Sequence, residues 1–504
     1  MPTPEGAAMA RQHEVAQSWR LPGLADRVIW QSFAGMKRVL GTIVAAALAS
    51  GGCVDEASSQ LSASELLERL RAIPGVTADE RPTEQTGVHY FVLHFTQPVD
   101  HTDPSQGTFQ QEVSLLHRSE QAPAPMIVHT SGYADYYLDQ PVELTKLLEA
   151  NQVSIEHRFY GHSRPSPADW TKLTIAQMAA DEHDIITALR TIYRGAFLTT
   201  GGSKGGMTAV FHRKFYPADV DGTVAYVAPL SFGAPDPRYA DYLETIGNPP
   251  CRQAVRDVAT EMLAHRRDTL EFRASAQPDH VYSRVTVGAA LESAINSLEW
   301  SFWQTQGIDQ CITVPGPGAS DDDLFGFLDK ISPVSEDDDA KIGFYEPYYY
   351  QTYNELGYPD YGAAYLSPYR RYAELDYSHE LPTLGEPSYD STSMLEVDDY
   401  VEHRGNRLLF IYGEWDPWTG GKFVLGDATD SAVLIQPQGT HYSKIATLEP
   451  SDRDDALARL AAWTGVTPNL ARARRSARGG EPGPDERAAS ARLPVLRGAH
   501  AAPK

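Results

Sequence analysis

Three cysteines in 504 residues are too few for a disulfide framework, and no cysteine or histidine spacing of a metal-binding kind occurs in the chain. Neither a metal nor a cofactor is therefore expected. Positive charge is also short: 43 Lys and Arg stand against 67 Asp and Glu, a formal net charge of −24. Phosphate backbones need clustered cations, so nucleic acid is excluded as a partner class. The same imbalance favours solubility and attracts cationic groups such as the free amine of a peptide. A long hydrophobic run is missing as well. In "MKRVLGTIVAAALASGGC", Met36 to Cys53, two basic residues precede an apolar run of about a dozen residues, too short to span a bilayer.

That stretch has the layout of an export signal. A cysteine directly after small residues resembles a bacterial lipoprotein cleavage site, which would make Cys53 a lipidated N-terminus, although Ser50 stands where leucine is usual. Residues 1–35 read as an over-extended start, with Met36 as initiator. The expected location is outside a bacterial cell, secreted or lipid-anchored at the envelope. Export leaves Cys251 and Cys311, and two cysteines in an oxidising compartment most simply pair.

What the chain does have is alternation of strand and helix patterns. Residues 54–84 are polar and helix-prone, an arm after the export segment. From 85 to 232, runs such as "HYFVLHF", "TFQQEVSLLHR", "APMIVHTSGY", "QVSIEHRF" and "GAFLTTGG" read as strands, and "TIAQMAADEHDIITALRTIY" as a long amphipathic helix. Repeated β-α-β units predict an α/β fold: a mostly parallel sheet with helices on both faces. The rhythm breaks over 233–405, where the chain is helical, acidic and tyrosine-dense ("YEPYYYQTYNELGY"). It resumes over 406–466 with "NRLLFIYGEWDPW", "SAVLIQPQGTH" and a closing helix. The middle block predicts a cap over the strand ends, where such sheets bind ligands. Residues 467–504 form a basic tail without apolar periodicity, expected to be disordered.

The most informative stretch is "FLTTGGSKGGMTAVFHRKFYP", Phe197 to Pro217. A β-branched run, then Gly201-Gly202-Ser203-Lys204-Gly205, then an amphipathic helix fits a nucleophile elbow. There the serine sits in a strained strand-to-helix turn whose neighbours must lack side chains. A serine hydroxyl needs a base within hydrogen-bond reach, itself oriented by a carboxylate. The order Ser, acid, His places these roles on Asp416, in the turn after "LLFIYG", and on His441, in the loop after "AVLIQ". His403 lies at the wrong strand end, His157 and His162 precede the serine, and Glu414 falls within the strand end. Oxyanion donors are expected from the backbone N–H of Lys204 and from the loop at Gly132 and Tyr133. The Lys204 side chain reads as a surface charge.

"EHRFYGHSRP", "LTIAQMAADEHDI", "TTGGSKGGMTAVFHRKFYP", "DGTVAYVAP", "FIYGEWDPW" and the spaced Cys251 and Cys311 resemble the bacterial secreted tripeptidyl aminopeptidase family that favours proline at the cleavage site. The first four echo, more distantly, the lysosomal prolyl carboxypeptidase and dipeptidyl peptidase group. The resemblance runs from about residue 85 to about residue 466. It implies an α/β-hydrolase core with a helical cap, a triad of Ser203, Asp416 and His441, and release of tri- or tetrapeptides from free N-termini. A substrate ammonium then needs an acidic partner, for which Glu414 and Glu346 are candidates. Trp300, Trp303, Tyr348 and Tyr349 are candidate walls for a proline pocket. Two alternatives stand beside this. An esterase or lipase would use the same triad, but an interfacial lipase calls for apolar lid helices rather than an acidic, tyrosine-rich block. A non-catalytic surface lipoprotein would have no use for all three catalytic residue types.

Overall fold

The computed structural model describes residues 60–135, 138–316, 318–372 and 388–477. The export segment with Cys53, residues 1–35 and the tail from 478 onward lie outside the described residues. Nine strands form one sheet: β1 (Val76–Arg81), β2 (His89–Pro98), β3 (Thr108–His117), β4 (Met126–Thr130), β5 (Asn151–Ile155), β6 (Phe197–Gly202), β7 (Gly222–Tyr226), β8 (Leu408–Gly413) and β9 (Ala432–Gln436). Their spatial order is β1-β2-β3-β5-β4-β6-β7-β8-β9. The first three strands run antiparallel to their neighbours, and the six strands β4 to β9 are mutually parallel. This is an α/β-hydrolase fold.

Sequence and burial agree along the parallel strands. β4, β5 and β8 are buried at every position, as expected of strands covered on both faces by helices. One face carries Ile185, Ile186 and Leu189 of the helix Ile175–Leu189 against Val128, Val153 and Phe197. The other carries Leu144, Leu147, Leu460 and Trp463 against Ile127, Leu198 and Val224. The chain passes from β4 to β5 on one side, then crosses back to β6 on the other, so the strand order reverses between β4 and β6. Crevices of this kind, beyond the carboxyl ends of the strands, are where open parallel sheets hold ligands.

Between β7 and β8 lies the helical block, which has a core of its own. Leu263, Leu291, Ile295, Phe302, Trp303 and Leu328 are among its buried members. Cys251 at the start of the helix Pro249–Glu261 is disulfide-bonded to Cys311, with Cα atoms 5.6 Å apart.

Three boundaries read from the sequence need correction. Within the arm assigned to 54–84, the helix Ala63–Arg71 buries Leu66 and Leu70 in the sheet's own core, and β1 is an edge strand of the sheet. The helix Thr392–Arg404, placed in the cap by its position before β8, packs Met394, Val397 and Val401 against Phe410 and Tyr412 and belongs to the sheet layer. Residues 470–477, assigned to a disordered tail, form a helix. Leu470 and Ala473 meet the Leu147–Leu148 face, and Arg472 pairs with Glu149 at 3.2 Å.

Candidate active site

Ser203 stands between β6 and the helix Lys204–Phe215, with φ 54° and ψ −125°. That backbone geometry is costly for a residue with a Cβ and is tolerated only where the surroundings enforce it. Here they do. The Ser203 N–H donates to the Tyr226 carbonyl at the end of β7, at 2.9 Å, and the Ser203 carbonyl accepts from Met207 in the following helix. The loop after β4 closes on the same turn. A Cβ at Gly205 would stand 2.1 Å from the Thr130 carbonyl oxygen, so only glycine allows the contact. Thr130 Oγ1 also donates to the Gly205 carbonyl at 2.7 Å. The elbow and the β4 loop are therefore packed backbone to backbone across the reversal point of the sheet.

Asp416 begins the turn after β8. The residue is wholly buried. Its Oδ1 accepts from the Trp418 N–H at 3.2 Å, as an aspartate before proline commonly does, and its Oδ2 accepts from His441 Nδ1–H at 2.7 Å. With the Nδ1 proton committed to the carboxylate, Nε2 carries the lone pair. The His441 loop is laced to the end of β8. Trp415 N–H donates to the Gly439 carbonyl at 2.8 Å, and Gln438 N–H donates to Glu414 Oε2 at 2.7 Å. From the helical insert, the Gln304 carbonyl accepts the backbone N–H of His441 at 2.9 Å.

The site contains a buried lysine. Lys204 Nζ donates to the Gly132 carbonyl at 2.6 Å and lies over the rings of Tyr133 and Tyr160, at 5.3 and 5.7 Å from their centroids. The residue is 3 % exposed, which corrects its reading as a surface charge. Burial lowers its pKa to about 7, opposed by the charge of Glu182. Glu182 is buried too, and burial together with the neighbouring Asp181 pushes its carboxyl well above the usual range. His157, behind the same loop, donates Nδ1–H to the Arg158 carbonyl, and burial next to Lys204 keeps it neutral. Its backbone N–H holds the Tyr133 carbonyl at 2.9 Å. Glu156 accepts from His162 N–H, Ser163 N–H and Ser163 Oγ at 2.7, 3.0 and 2.9 Å, yet burial still pushes its carboxyl up to about 7.

A model of the PS-10 peptidase S37 family matches residues 59–488. The chain belongs to that family. It is 36% identical over 448 residues to the prolyl tri/tetrapeptidyl aminopeptidase of Streptomyces mobaraensis, covering 86% of this chain and 93% of the relative. A shorter match, 30% identical over 193 residues, covers 34% of this chain and 38% of the lysosomal Pro-X carboxypeptidase of Mus musculus. Among solved structures, the proline iminopeptidase of Mycobacterium smegmatis is covered to 98% by 74% of this chain, at 16% identity and a TM-score of 0.34.

In this S37 peptidase the remaining candidates fall into different surroundings. Tyr348 stands edge-on to Tyr133 at 5.9 Å, beside Tyr345 at 5.6 Å, so the tyrosine-dense helix Asp339–Gln351 faces the β4 loop. Tyr349 packs against both. Glu346, half-buried, is on the same helix. Glu414 is exposed and braces the histidine loop through Gln438. Trp300 is buried and edge-on to Trp418, at 5.2 Å, and Trp418 in turn lies 6.4 Å from the His441 ring. Trp303, read as a pocket wall, is fully buried in the insert's core, packed on Phe302 and Trp415, and offers no surface to a substrate. Tyr133's N–H, expected at the oxyanion, donates to Ser131 Oγ at 3.0 Å. Tyr345 and Trp418 were missed by sequence reasoning. The signal for Trp418 was its place two residues after Asp416. Among the described residues no cluster could hold a metal ion, and no helix is long and apolar enough to cross a membrane.

Proposed function

We propose that the chain is a serine exopeptidase that releases tri- or tetrapeptides from free N-termini, with proline preferred before the scissile bond. The observation that carries this reading is the Asp416–His441 hydrogen bond in an S37 chain whose Ser203 sits in a strained elbow. The name of the Streptomyces relative supplies the substrate class.

In this mechanism Ser203 Oγ attacks the scissile carbonyl carbon and its proton passes to His441 Nε2. Asp416 stays ionised, holding the Nδ1–H tautomer and stabilising the imidazolium. The oxyanion takes the backbone N–H of Lys204 and a second donor from the Gly132–Tyr133 turn, where the Tyr133 N–H is shared with Ser131 Oγ. The imidazolium then protonates the leaving amine, and a water activated by His441 hydrolyses the acyl-enzyme. Tyr345, Tyr348 and Tyr349 supply flat apolar faces suited to a pyrrolidine ring. Glu346, on the same helix, is the acid assigned to the substrate ammonium, and Glu414 accepts from Gln438 N–H in the histidine loop. Export through residues 36–53, with the peptidase either secreted or lipid-anchored through Cys53, belongs to the same reading.

Purified protein assayed on a chromogenic tripeptide ending in proline, beside a short-chain ester, tests the proposal. Turnover of the peptide at a much higher kcat/KM than the ester is expected. The reverse preference would make it an esterase, and no turnover of either would leave a binding lipoprotein.

A further inference from the structure

The residue after the nucleophile has a side chain that the triad chemistry does not use. An ammonium buried at 3 % exposure loses its hydration, and such groups persist where specific partners replace it. Three partners are in place: the Gly132 carbonyl at 2.6 Å and the faces of Tyr133 and Tyr160. Gly132 itself has φ +74°, and a Cβ there would stand 2.8 Å from Gly205 N and from the Lys204 carbonyl carbon. The loop is thus held at van der Waals contact with the elbow, gripped by the side chain of the residue that follows the serine.

We propose that Lys204 is a positioning residue: by holding the Gly132 carbonyl, its ammonium sets the plane of the Gly132–Tyr133 peptide, which forms one side of the oxyanion site. A peptide unit is planar and trans, so a fixed carbonyl fixes the N–H on its opposite edge. The aim of the Tyr133 N–H, which in this structure also donates to Ser131 Oγ at 3.0 Å, is therefore constrained by a contact on the far side of the same bond. One residue then serves the transition state from both ends, the backbone N–H of Lys204 as a donor and its side chain as the clamp on the second donor. The inference rests on the reading of Ser203 as nucleophile and of this loop as the oxyanion site.

The ammonium is surrounded by titratable and charged groups. Glu182, with Asp181 beside it, comes from the helix Ile175–Leu189. His157, Arg158 and Tyr160 come from the segment after β5, and Tyr133 lies beneath Tyr345 and Tyr348. Burial is the stronger influence and favours loss of the lysine's proton, and among these groups Glu182 opposes it.

The test uses the full chain with Lys204→Met, which keeps the length and loses the charge, and Lys204→Gln, which keeps a neutral donor. Competent sites are counted by end-point titration with a fluorophosphonate. Per titrated site, kcat should fall about 10²-fold in Lys204→Met and less in Lys204→Gln, with KM changed by less than about threefold. Affinity for a peptidyl boronic acid, which presents a tetrahedral oxyanion, should fall by a similar factor, while affinity for the tripeptide product stays. A purely structural clasp would lower the titrated fraction or the melting temperature and leave kcat per site alone, which overturns the proposal. On the unmutated chain, kcat should decline on the alkaline side as the ammonium loses its proton. A kcat flat to about pH 10 also overturns it, and this arm holds if the variants fail to fold. Activity surviving in Ser203→Ala would instead sink the peptidase reading itself.

Discussion

His441 Nδ1 lies 2.7 Å from Asp416 Oδ2, the acid wholly buried and the imidazole side chain 11% exposed. Buried, the carboxylate is shielded from water, one oxygen fixed by the Trp418 N–H and the other left to hold the ring. Asp416→Asn preserves the shape and reverses the hydrogen bond, favouring the wrong tautomer. A loss of about 10³- to 10⁴-fold in kcat is expected, with KM nearly unchanged. Steady-state kinetics on a prolyl tripeptide check it, and a loss under tenfold would assign the acid's role elsewhere.

Ser203→Ala should fold normally and lose about 10³-fold or more in turnover. Its melting temperature should not fall, because the deleted hydroxyl carries no hydrogen bond that holds the turn. Retention of a tenth of the activity would refute Ser203 as nucleophile.

N-acetylation of a tripeptide substrate should lower kcat/KM by at least about tenfold, the loss of one shielded charge-assisted contact. Glu346→Gln should reproduce most of that loss on the free peptide and change little on the acetylated one. Equal rates on both substrates would leave an endopeptidase or an esterase.

Stability should depend on pH through Glu156. Its carboxyl is raised from 4.5 to about 7 in the folded chain by burial. Between those values the folded state keeps a proton that the unfolded state has released, so this group's contribution is complete below about pH 4.5 and fades as pH rises through 7. Melting temperatures of the parent and of Glu156→Gln, compared from pH 4.5 to 8, should show the variant lacking that part of the slope. Parallel curves would mean that the donors around Glu156, the N–H groups of Asp135, His162 and Ser163 and the Ser163 hydroxyl, outweigh its burial.

Removing the Cys251–Cys311 bond by a double serine substitution should destabilise the chain. The sequence separation is 60 residues, worth about 4 kcal/mol in the chain-entropy model. Scanning calorimetry should show a lower melting temperature, with kcat at room temperature nearly intact. An unchanged melting temperature would show that the insert's apolar core alone sets its stability.

Much of this was legible in the residues. The serine elbow announces itself because a strained turn needs glycines, and the strands before Asp416 and His441 are apolar runs ending in turn residues. Lys204 was not legible, since a lysine in a glycine-rich turn is normally solvated. Only the closure of the β4 loop, a contact across 72 residues, buries it. Trp303 misled for the opposite reason: an aromatic near a cap reads as a pocket wall, but the insert is thick enough to have an interior. The helix at 470–477 was hidden by its arginine-rich composition, since contacts at Leu470 and Ala473 suffice to seat it.

The hydrogen bond from His441 N–H to the Gln304 carbonyl joins the catalytic base to the last turn of an insert helix, and Trp415 packs on Trp303 one step away. Any swing of the insert as a unit would tug the base's own loop. Admission of substrate and readiness of the chemistry would then share one latch: an enzyme standing open would have a slackened base, and reseating the insert would re-arm it. Mutations along that seam would change the tempo of turnover without touching a single reacting atom.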